Sequence, residues 1–248
     1  MIEAVLFDGD QTLWDFERVM HDALLAVLDE LRSARPGPFA DALSVPELQD
    51  DRQAVAEELT GIEFNLARLR VLGFGRTLER RRRVEGGDEG ADTELAQRLT
   101  TTYFDHRDRD PALFPDVIPC LDALRPRYRL GLLSNGSRLP ERVGLGAYFE
   151  SVVFAQDHRV VKPDKGIFEV SERELGVGPA ACVLVGDHPL NDVVGAKRAG
   201  WSAIWLDRDG EGVGMFEQLP DGDERPDGVV TSLDDLPDAL DALDALDR

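Results

Sequence analysis

The stretch that decides the fold is IEAVLFDGDQT, residues 2–12. Its apolar residues form a short run typical of a buried strand, and the run ends in Asp8 and Asp10, two carboxylates one residue apart. Asp and Gly are common turn formers, so a simple turn explains this stretch alone equally well. Two like charges at the end of a buried strand need a further reason, which the rest of the chain has to supply.

The composition is that of a globular protein with a strongly acidic surface. The chain has 248 residues, 42% of them hydrophobic, and a formal net charge of -21. This charge argues against nucleic acid and against an anionic membrane surface as partners, because both would be repelled. A ligand that carries phosphate would need a local cation or particular Arg and Lys side chains. Nothing in the composition indicates an oligomeric state.

Compartment and redox state follow from two further observations. The N-terminal residues show neither a signal peptide nor a membrane-spanning pattern, which predicts a cytoplasmic protein. Cys120 and Cys182 lie in apolar patterns without metal-ligand spacing. We therefore expect two buried free thiols.

Short apolar runs separated by helical patterns predict an α/β fold with a doubly wound, Rossmann-like parallel sheet. A leucine pattern from Leu233 to Leu246 predicts a final helix on the sheet, and residues 210–226 are expected to be a loop. The four clearest strands are Val5–Phe7, Leu130–Ser134, Cys182–Gly186 and Ala203–Leu206, with Ser151–Ala155 and Gly228–Thr231 as weaker candidates.

Residues 15–106 have no convincing strand and several helical periodicities. The apolar spacing from Phe16 to Leu31 predicts one amphipathic helix, and Ser44 with Glu47 has the spacing of a capping box. Further helices are expected over residues 63–83, weakened midway by Gly73 and Gly75, and over residues 93–104. The sequence thus predicts a core domain of residues 1–14 and 107–248 with an all-helical domain, 15–106, inserted after the first strand.

The polar residues that follow the predicted strands form a candidate site, because ligands of open parallel sheets bind beyond the carboxyl ends of the strands. Four carboxylates in one place require protonation or a cation, and an all-oxygen set suits Mg²⁺. Ser, Asn, Lys and free helix N–H groups suit phosphate oxygens. One carboxylate can then attack phosphorus while its neighbour moves a proton. The residues are Asp8, Asp10, Ser134, Asn135, Lys162, Asp187 and Asp192.

Four blocks of the sequence resemble, in order, the four motifs of the haloacid dehalogenase (HAD) superfamily. The blocks are LFDGDQTLW (6–14), LLSNG (132–136), VVKPDKGIFE (160–169) and VLVGDHPLNDVVGAKRAG (183–200). The inserted helical domain resembles the helical cap of this superfamily, the C1 type. The resemblance implies a Mg²⁺-dependent phosphatase that works through an aspartyl-phosphate.

The resemblance also implies a role for each motif residue. Asp8 would be the nucleophile and Asp10 the general acid/base. Ser134 and Asn135 would bind the phosphate, and Lys162 would stabilise both the phosphate and the Asp8 side chain. The implied metal ligands are Asp8, the backbone carbonyl of Asp10, and Asp187, with Asp192 in support.

Two positions depart from the family pattern. Gln11 stands where Gly or Asn is more usual, and we expect it to be tolerated because a helix-like twist there would not require glycine. His188 replaces a small polar residue; it either lines the site or lies on an exposed loop.

Three other functions remain open from the sequence. Dehalogenation is disfavoured because the dehalogenases of the superfamily lack the second aspartate that Asp10 supplies. A phosphomutase would use the same core residues. A non-catalytic phospho-accepting or ligand-binding domain would have no reason for so large an insertion.

The expected substrate is a small phosphorylated metabolite, such as a sugar phosphate, a phosphoglycolate-like acid or a nucleoside monophosphate. If its leaving group carries a further anion, a cap arginine should contact that anion. The candidates are Arg68, Arg70 and Arg76, which lie on one predicted helix.

Overall fold

In the computed structural model of the chain, six parallel strands form one sheet in the spatial order β3-β2-β1-β4-β5-β6. β1 lies between β2 and β4, so the chain winds outward in both directions from it, which is the doubly wound arrangement with its switch point beside β1. The α/β prediction is confirmed, and all six predicted strands form. They are β1 (Ala4–Phe7), β2 (Arg129–Ser134), β3 (Ser151–Phe154), β4 (Cys182–Gly186), β5 (Ser202–Leu206) and β6 (Gly228–Val230).

The structure describes residues 1–59, 61–62, 65–210 and 224–246. Most of the loop expected over residues 210–226 therefore lies outside the described residues. The chain divides into two compact units, which we call the α/β unit (Met1–Asp15 and Ala112–Arg248) and the helical unit (Phe16–Pro111).

All regular structure described in the helical unit is helical. Its core is built on the apolar face of the first helix, where Leu24, Val27 and Leu31 are fully buried. The predicted capping box is present, since the backbone N–H of Ser44 donates to the Glu47 carboxylate at 3.0 Å. The helices are α1 (Phe16–Ala34), α2 (Pro38–Ala42), α3 (Val45–Glu58), α4 (Leu66–Glu85) and α5 (Glu89–Arg107).

Helix α4 runs unbroken through Gly73 and Gly75, at which the sequence suggested a weak point. A Cβ atom at Gly73 would lie 3.1 Å from the Cα of Arg52, so this glycine lets α3 and α4 approach closely. Tertiary packing thus outweighs the low helix propensity of glycine. Helix α5 begins four residues before its predicted start, because Asp88 caps it by accepting the N–H of Ala91 at 2.8 Å.

The helices of the α/β unit cover the sheet and bury its strands. Phe168 packs edge-on against Trp201, with ring centroids 5.2 Å apart. Cys120 and Cys182 are free and buried as expected, and burial raises the pKa of each thiol to about 12. Within the described ranges no helix is long and apolar enough to span a membrane. The helices are α6 (Val117–Leu124), α7 (Ala155–His158), α8 (Lys165–Leu175), α9 (Gly195–Ala199) and α10 (Leu236–Leu246).

The chain leaves and re-enters the α/β unit through a short antiparallel stem. Trp14 and Leu113 form an antiparallel bridge. The N–H of Asp15 donates to the carbonyl of Ala112 at 3.0 Å, and the N–H of Phe114 donates to the carbonyl of Leu13 at 3.1 Å. The two ends of the helical insertion therefore meet at one place, directly after the acidic turn.

Candidate active site

The polar residues predicted from the strand ends line one cavity of about 210 Å³ in the α/β unit. Parallel pairing of β1 with β2 and β4 brings the three carboxyl ends to the same edge of the sheet, which places these side chains together. The lining residues are Asp8, Asp10, Gln11, Ser134, Asn135, Gly136, Lys162, Asp187, His188, Asn191 and Asp192.

Lys162 is the electrostatic centre of this cavity. Its Nζ donates to Asp8 Oδ1 at 2.7 Å and to Asp192 Oδ1 at 2.6 Å, and the side chain is almost fully buried. Burial acts to lower the pKa of Lys162, but the two carboxylates outweigh it and raise the pKa. The ammonium therefore stays charged and fixes the Asp8 carboxylate at the end of β1.

Three carboxylates crowd around this single lysine. Asp8, Asp187 and Asp192 each offer an oxygen within 4.8 Å of the other two. Burial, reinforced by the neighbouring acids, raises the pKa of Asp8 well above its usual range despite Lys162. Burial and then Asp192 raise the pKa of Asp187 to about 7. One ammonium is too little positive charge for this cluster, and the all-oxygen donor set fits a hard divalent cation.

Asn135 holds Lys162 in place through a reciprocal pair of hydrogen bonds. Its Oδ1 accepts the backbone N–H of Lys162 at 2.8 Å, and its Nδ2 donates to the Lys162 carbonyl at 3.0 Å. The neighbouring Ser134 Oγ accepts the N–H of Gly136 at 3.0 Å, which leaves the hydroxyl hydrogen to donate elsewhere. Asn135 thus positions the lysine, and the implied contact of Ser134 and Asn135 with phosphate stays a prediction.

Asp10 is oriented by a residue that the sequence analysis missed. The indole Nε1–H of the buried Trp14 donates to Asp10 Oδ1 at 2.7 Å. A Cβ atom at Gly9 would lie 2.5 Å from the Trp14 ring, so only glycine fits between the two aspartates. On the other side, a Cβ atom at Gly136 would lie 2.8 Å from Asp10 Oδ2. The Asp10 carboxylate therefore occupies a tight slot and is oriented there by the Trp14 indole.

The turn after β4 has a similar construction around Asp192. A Cβ atom at Gly186 would lie 2.3 Å from Asp192 Oδ2, and the N–H of His188 donates to that oxygen at 2.9 Å. The Thr12 hydroxyl donates to Asp187 Oδ1 at 3.3 Å. Thr12 and Gly186 lie within the quoted motif blocks 6–14 and 183–200, but neither was among the predicted site residues.

Both descriptions of His188 apply, because the residue lines the cavity and is exposed. Its Nδ1 accepts the N–H of Asn191 at 3.2 Å and so caps the turn that follows.

The expectation of a helix-like twist at Gln11, which would not require glycine, is wrong. Gln11 has φ 62°, in the left-handed region that favours glycine. An L-residue pays about 1 kcal/mol or more for this conformation. The turn is closed by backbone bonds, in which the N–H of Gln11 donates to the Trp14 carbonyl at 2.9 Å and the N–H of Leu13 to the Gly9 carbonyl at 2.9 Å. These bonds hold glutamine in a conformation that does suit glycine or asparagine better.

The three candidate arginines of the helical unit have three different surroundings. Arg68 is exposed. Arg76 forms an ion pair with Glu58 at 2.7 Å and lies 3.6 Å from an oxygen of Asp51. Arg70 is buried. A role for any of them in substrate specificity stays a prediction.

The sequence that forms this site matches a known family. A sequence model of the haloacid dehalogenase-like hydrolases matches residues 2–200. The chain belongs to the haloacid dehalogenase-like hydrolase family and is a hydrolase, as the four motifs predicted.

The individual relatives include both phosphatases and dehalogenases. Glyceraldehyde 3-phosphate phosphatase of Methanopyrus kandleri is 30% identical over 219 residues, 84% of this chain and 85% of the relative. Haloacetate dehalogenase H-2 of a Moraxella species is 29% identical over 228 residues, 89% of this chain and 92% of the relative. The crystal structure of a 2-haloacid dehalogenase from Pseudomonas syringae is 31% identical with a TM-score of 0.73, and the match covers 98% of this chain and 100% of that one.

Proposed function

We propose that this protein is a Mg²⁺-dependent phosphatase that hydrolyses a small phosphomonoester through a phosphorylated Asp8. The observation that carries the proposal is the pairing of Asp8 with Lys162 at 2.7 Å beside Asp187 and Asp192. A buried carboxylate held by an ammonium, with further acids next to it, suits attack on a dianionic phosphoryl group only when a second cation is present.

The donor set fits Mg²⁺. Asp8, Asp187 and the backbone carbonyl of Asp10 would hold the ion, with Asp192 in support. When bound, Mg²⁺ supplies positive charge against the phosphoryl oxygens and keeps the crowded carboxylates ionised.

The residues of the chain supply the rest of the reaction. An Asp8 carboxylate oxygen forms a bond to phosphorus as the ester P–O bond breaks, and Asp10, protonated, gives its proton to the departing alkoxide oxygen. Asp10 then takes a proton from the water that attacks phosphorus, and the bond between phosphorus and Asp8 breaks to release phosphate. Throughout, Lys162 and the Ser134 hydroxyl would stabilise the negative charge on the phosphoryl oxygens.

Dehalogenation is a second candidate because two of the relatives above are dehalogenases. A halide leaves as a stable anion and needs no proton, whereas an alkoxide has to be protonated as it leaves. Asp10, fixed by Trp14 at 2.7 Å, is a second carboxylate suited to that proton transfer. This favours the phosphatase.

The substrate proposed is a small phosphorylated metabolite, such as a sugar phosphate, a phosphoglycolate-like acid or a nucleoside monophosphate. A cavity of about 210 Å³ is small compared with typical pockets for drug-sized ligands. The net charge of -21 disfavours nucleic acids and other large polyanions.

The test is hydrolysis of 4-nitrophenyl phosphate with Mg²⁺ or with EDTA, alongside chloride release from 2-chloropropionate. We expect phosphate release that requires Mg²⁺ and no chloride release. Asp8→Asn should abolish turnover because an amide cannot form the acyl phosphate, whereas Asp157→Asn, at an exposed aspartate of α7, should not change it. Asp10→Asn should slow both phosphorylation and breakdown of the intermediate. Chloride release without phosphate release would replace the proposal with dehalogenation.

A further inference from the structure

Arg70 carries a buried positive charge whose hydrogen-bond partners are neutral. The side chain lies on α4 and the residue is only 7% exposed. Its Nη1 donates to Gln49 Oε1 at 3.0 Å and its Nη2 to the Tyr103 hydroxyl at 3.0 Å. The guanidinium carbon lies 4.1 Å from the centroid of the Tyr103 ring. These contacts orient the guanidinium, but none of them neutralises it.

Two further arginines of the helical unit lie near Arg70, and α3 approaches α4 closely at Arg52, whose Cα would lie 3.1 Å from a Cβ atom at Gly73. Burial lowers the pKa of Arg70; Tyr103 opposes this, while the charges of Arg52 and then Arg107 lower it further. Arg52 is half-buried and its Nη1 donates to Gln53 Oε1 at 3.4 Å, again a neutral partner. Burial lowers its pKa too. Arg107 stacks on the Phe16 ring at 4.8 Å. The helical unit thus gathers like charges where electrostatics alone would separate them.

Five of the six other arginines of α4 show how unusual this is, and the sixth, Arg68, is exposed to water. In a chain with 49 acidic and 28 basic residues, carboxylate partners are abundant. Five arginines farther along the helix each have a carboxylate within ion-pair distance. Among the residues that the structure describes, neither Arg70 nor Arg52 has one. The five paired residues are Arg76, Arg80, Arg81, Arg82 and Arg83.

We propose that Arg70 and Arg52, with the Tyr103 hydroxyl, form an anion-binding site in the helical unit for a carboxylate or phosphoryl group. A buried guanidinium is costly unless it is paired, and its planar set of donors matches both kinds of oxyanion. Two of its five N–H groups are used by Gln49 and Tyr103, so further donors remain for a ligand. The anion belongs either to the leaving group of the substrate, which rests on the proposed function, or to a separate effector.

The binding test uses sodium sulfate as the probe on the full chain. Sulfate at about ten times its dissociation constant should raise the thermal midpoint of the wild type by about 3–6 °C relative to sodium chloride of equal ionic strength. Arg70→Met should lose this rise, and Arg70→Lys should keep part of it. Arg83→Met, which removes an exposed arginine of the same helix, is the matched control and should respond like the wild type. Arg52→Met carries the test if Arg70→Met does not fold.

Sulfate bound in the cavity of the α/β unit would stabilise all variants alike, so the difference between the wild type and Arg70→Met isolates the helical unit. An equal sulfate response in the wild type, Arg70→Met and Arg52→Met overturns the proposal. This result does not depend on turnover, so failure of the anion site and failure of the phosphatase proposal remain distinguishable.

Two kinetic measurements then identify the source of the anion. If the leaving group carries it, the wild type should prefer 4-carboxyphenyl phosphate over phenyl phosphate by about 10- to 100-fold in kcat/KM, and Arg70→Met should lose that preference while Arg83→Met keeps it. If an effector carries it, sulfate should change phenyl phosphate turnover in the wild type but not in Arg70→Met. Sulfate binding with neither kinetic effect would identify an adventitious anion and overturn the proposal.

Discussion

Replacing Lys162 with methionine tests the electrostatic description of the site without reference to the reaction. The substitution keeps an unbranched side chain of similar length and removes the charge that bonds Asp8 at 2.7 Å and Asp192 at 2.6 Å. In the absence of metal, the folded protein must then either bury an unpaired carboxylate or protonate it.

The size of the effect follows from the cost of that protonation. Protonating an aspartate of ordinary pKa costs about 4 kcal/mol at pH 7 and about 1.5 kcal/mol at pH 5. Breaking a buried ion pair costs a similar ~3–5 kcal/mol. Burial already raises the folded-state pKa of Asp8, and the loss of Lys162 leaves one further carboxylate of the pair without its cation, so that the folded protein holds a proton that the unfolded chain releases. The penalty is therefore absent below the unfolded pKa and grows as the pH rises toward the folded one.

The assay is urea denaturation in EDTA at pH 5 and pH 7, followed by tryptophan fluorescence. The three tryptophans, Trp14, Trp201 and Trp205, all lie in the α/β unit, so the signal reports the unit that contains the site. Lys165→Met is the control. This exposed lysine makes an i,i+4 contact with Glu169 at 3.5 Å, and its substitution should cost less than about 0.5 kcal/mol.

We expect Lys162→Met to lose about 4 kcal/mol of unfolding free energy at pH 7 and clearly less at pH 5, with partial recovery when Mg²⁺ is added. A loss below about 1 kcal/mol at pH 7, or the same loss at both pH values, would refute it.

Three further substitutions test the parts of the site that surround this lysine. Trp14→Phe removes the donor to Asp10, so kcat should fall on the order of tenfold with KM little changed, as measured by steady-state kinetics; an unchanged kcat would mean that Asp10 is oriented by other groups. Gly186→Ala forces a Cβ atom to within 2.3 Å of Asp192 and should lower unfolding free energy by about 1–3 kcal/mol, with loss of turnover; wild-type stability would show that the turn adjusts freely. Gln11→Gly relieves the left-handed backbone at φ 62° and should raise unfolding free energy by up to about 1 kcal/mol; a clear loss in the same urea assay would show that the glutamine side chain itself contributes a contact.

The sheet was predictable because its signals are local. Each strand is a short apolar run that ends in a turn former or a polar residue, as in β4, which ends at Gly186 before Asp187. Parallel pairing then brings the strand ends together without further information, which is why Asp8, Lys162 and Asp187 could be placed in one site from the sequence alone.

The hydrogen bonds that orient the site were not predictable, because they depend on three-dimensional proximity. Nothing in the sequence near Asn135 indicates that its amide binds the Lys162 backbone 27 residues later. Trp14 has the character of a core residue, and only the turn over residues 9–14 aims its indole N–H at Asp10. Likewise, Arg70 and Arg76 share one helix, but packing against α3 and α5 buries the first and leaves the second beside carboxylates.

The antiparallel stem between Leu13–Asp15 and Ala112–Phe114 has a consequence for the order of folding. Joining β1 to β2 requires closing a loop of ~120 residues, which costs about 4 kcal/mol of chain entropy if that loop is unstructured. The helical unit packs α3 on α4 and α4 on α5, which are neighbours along the chain, and it also packs its first helix, α1, on its last, α5. Helical topologies of this kind typically form quickly. Once the helical unit has formed, the effective loop between β1 and β2 is far shorter. The remaining step is pairing of the stem, in which residues 15 and 112 come together. We therefore expect the inserted helices to act as a nucleus that speeds formation of the sheet. Substitutions in the core of the helical unit should then slow refolding of the sheet, although that unit contributes no strand to it.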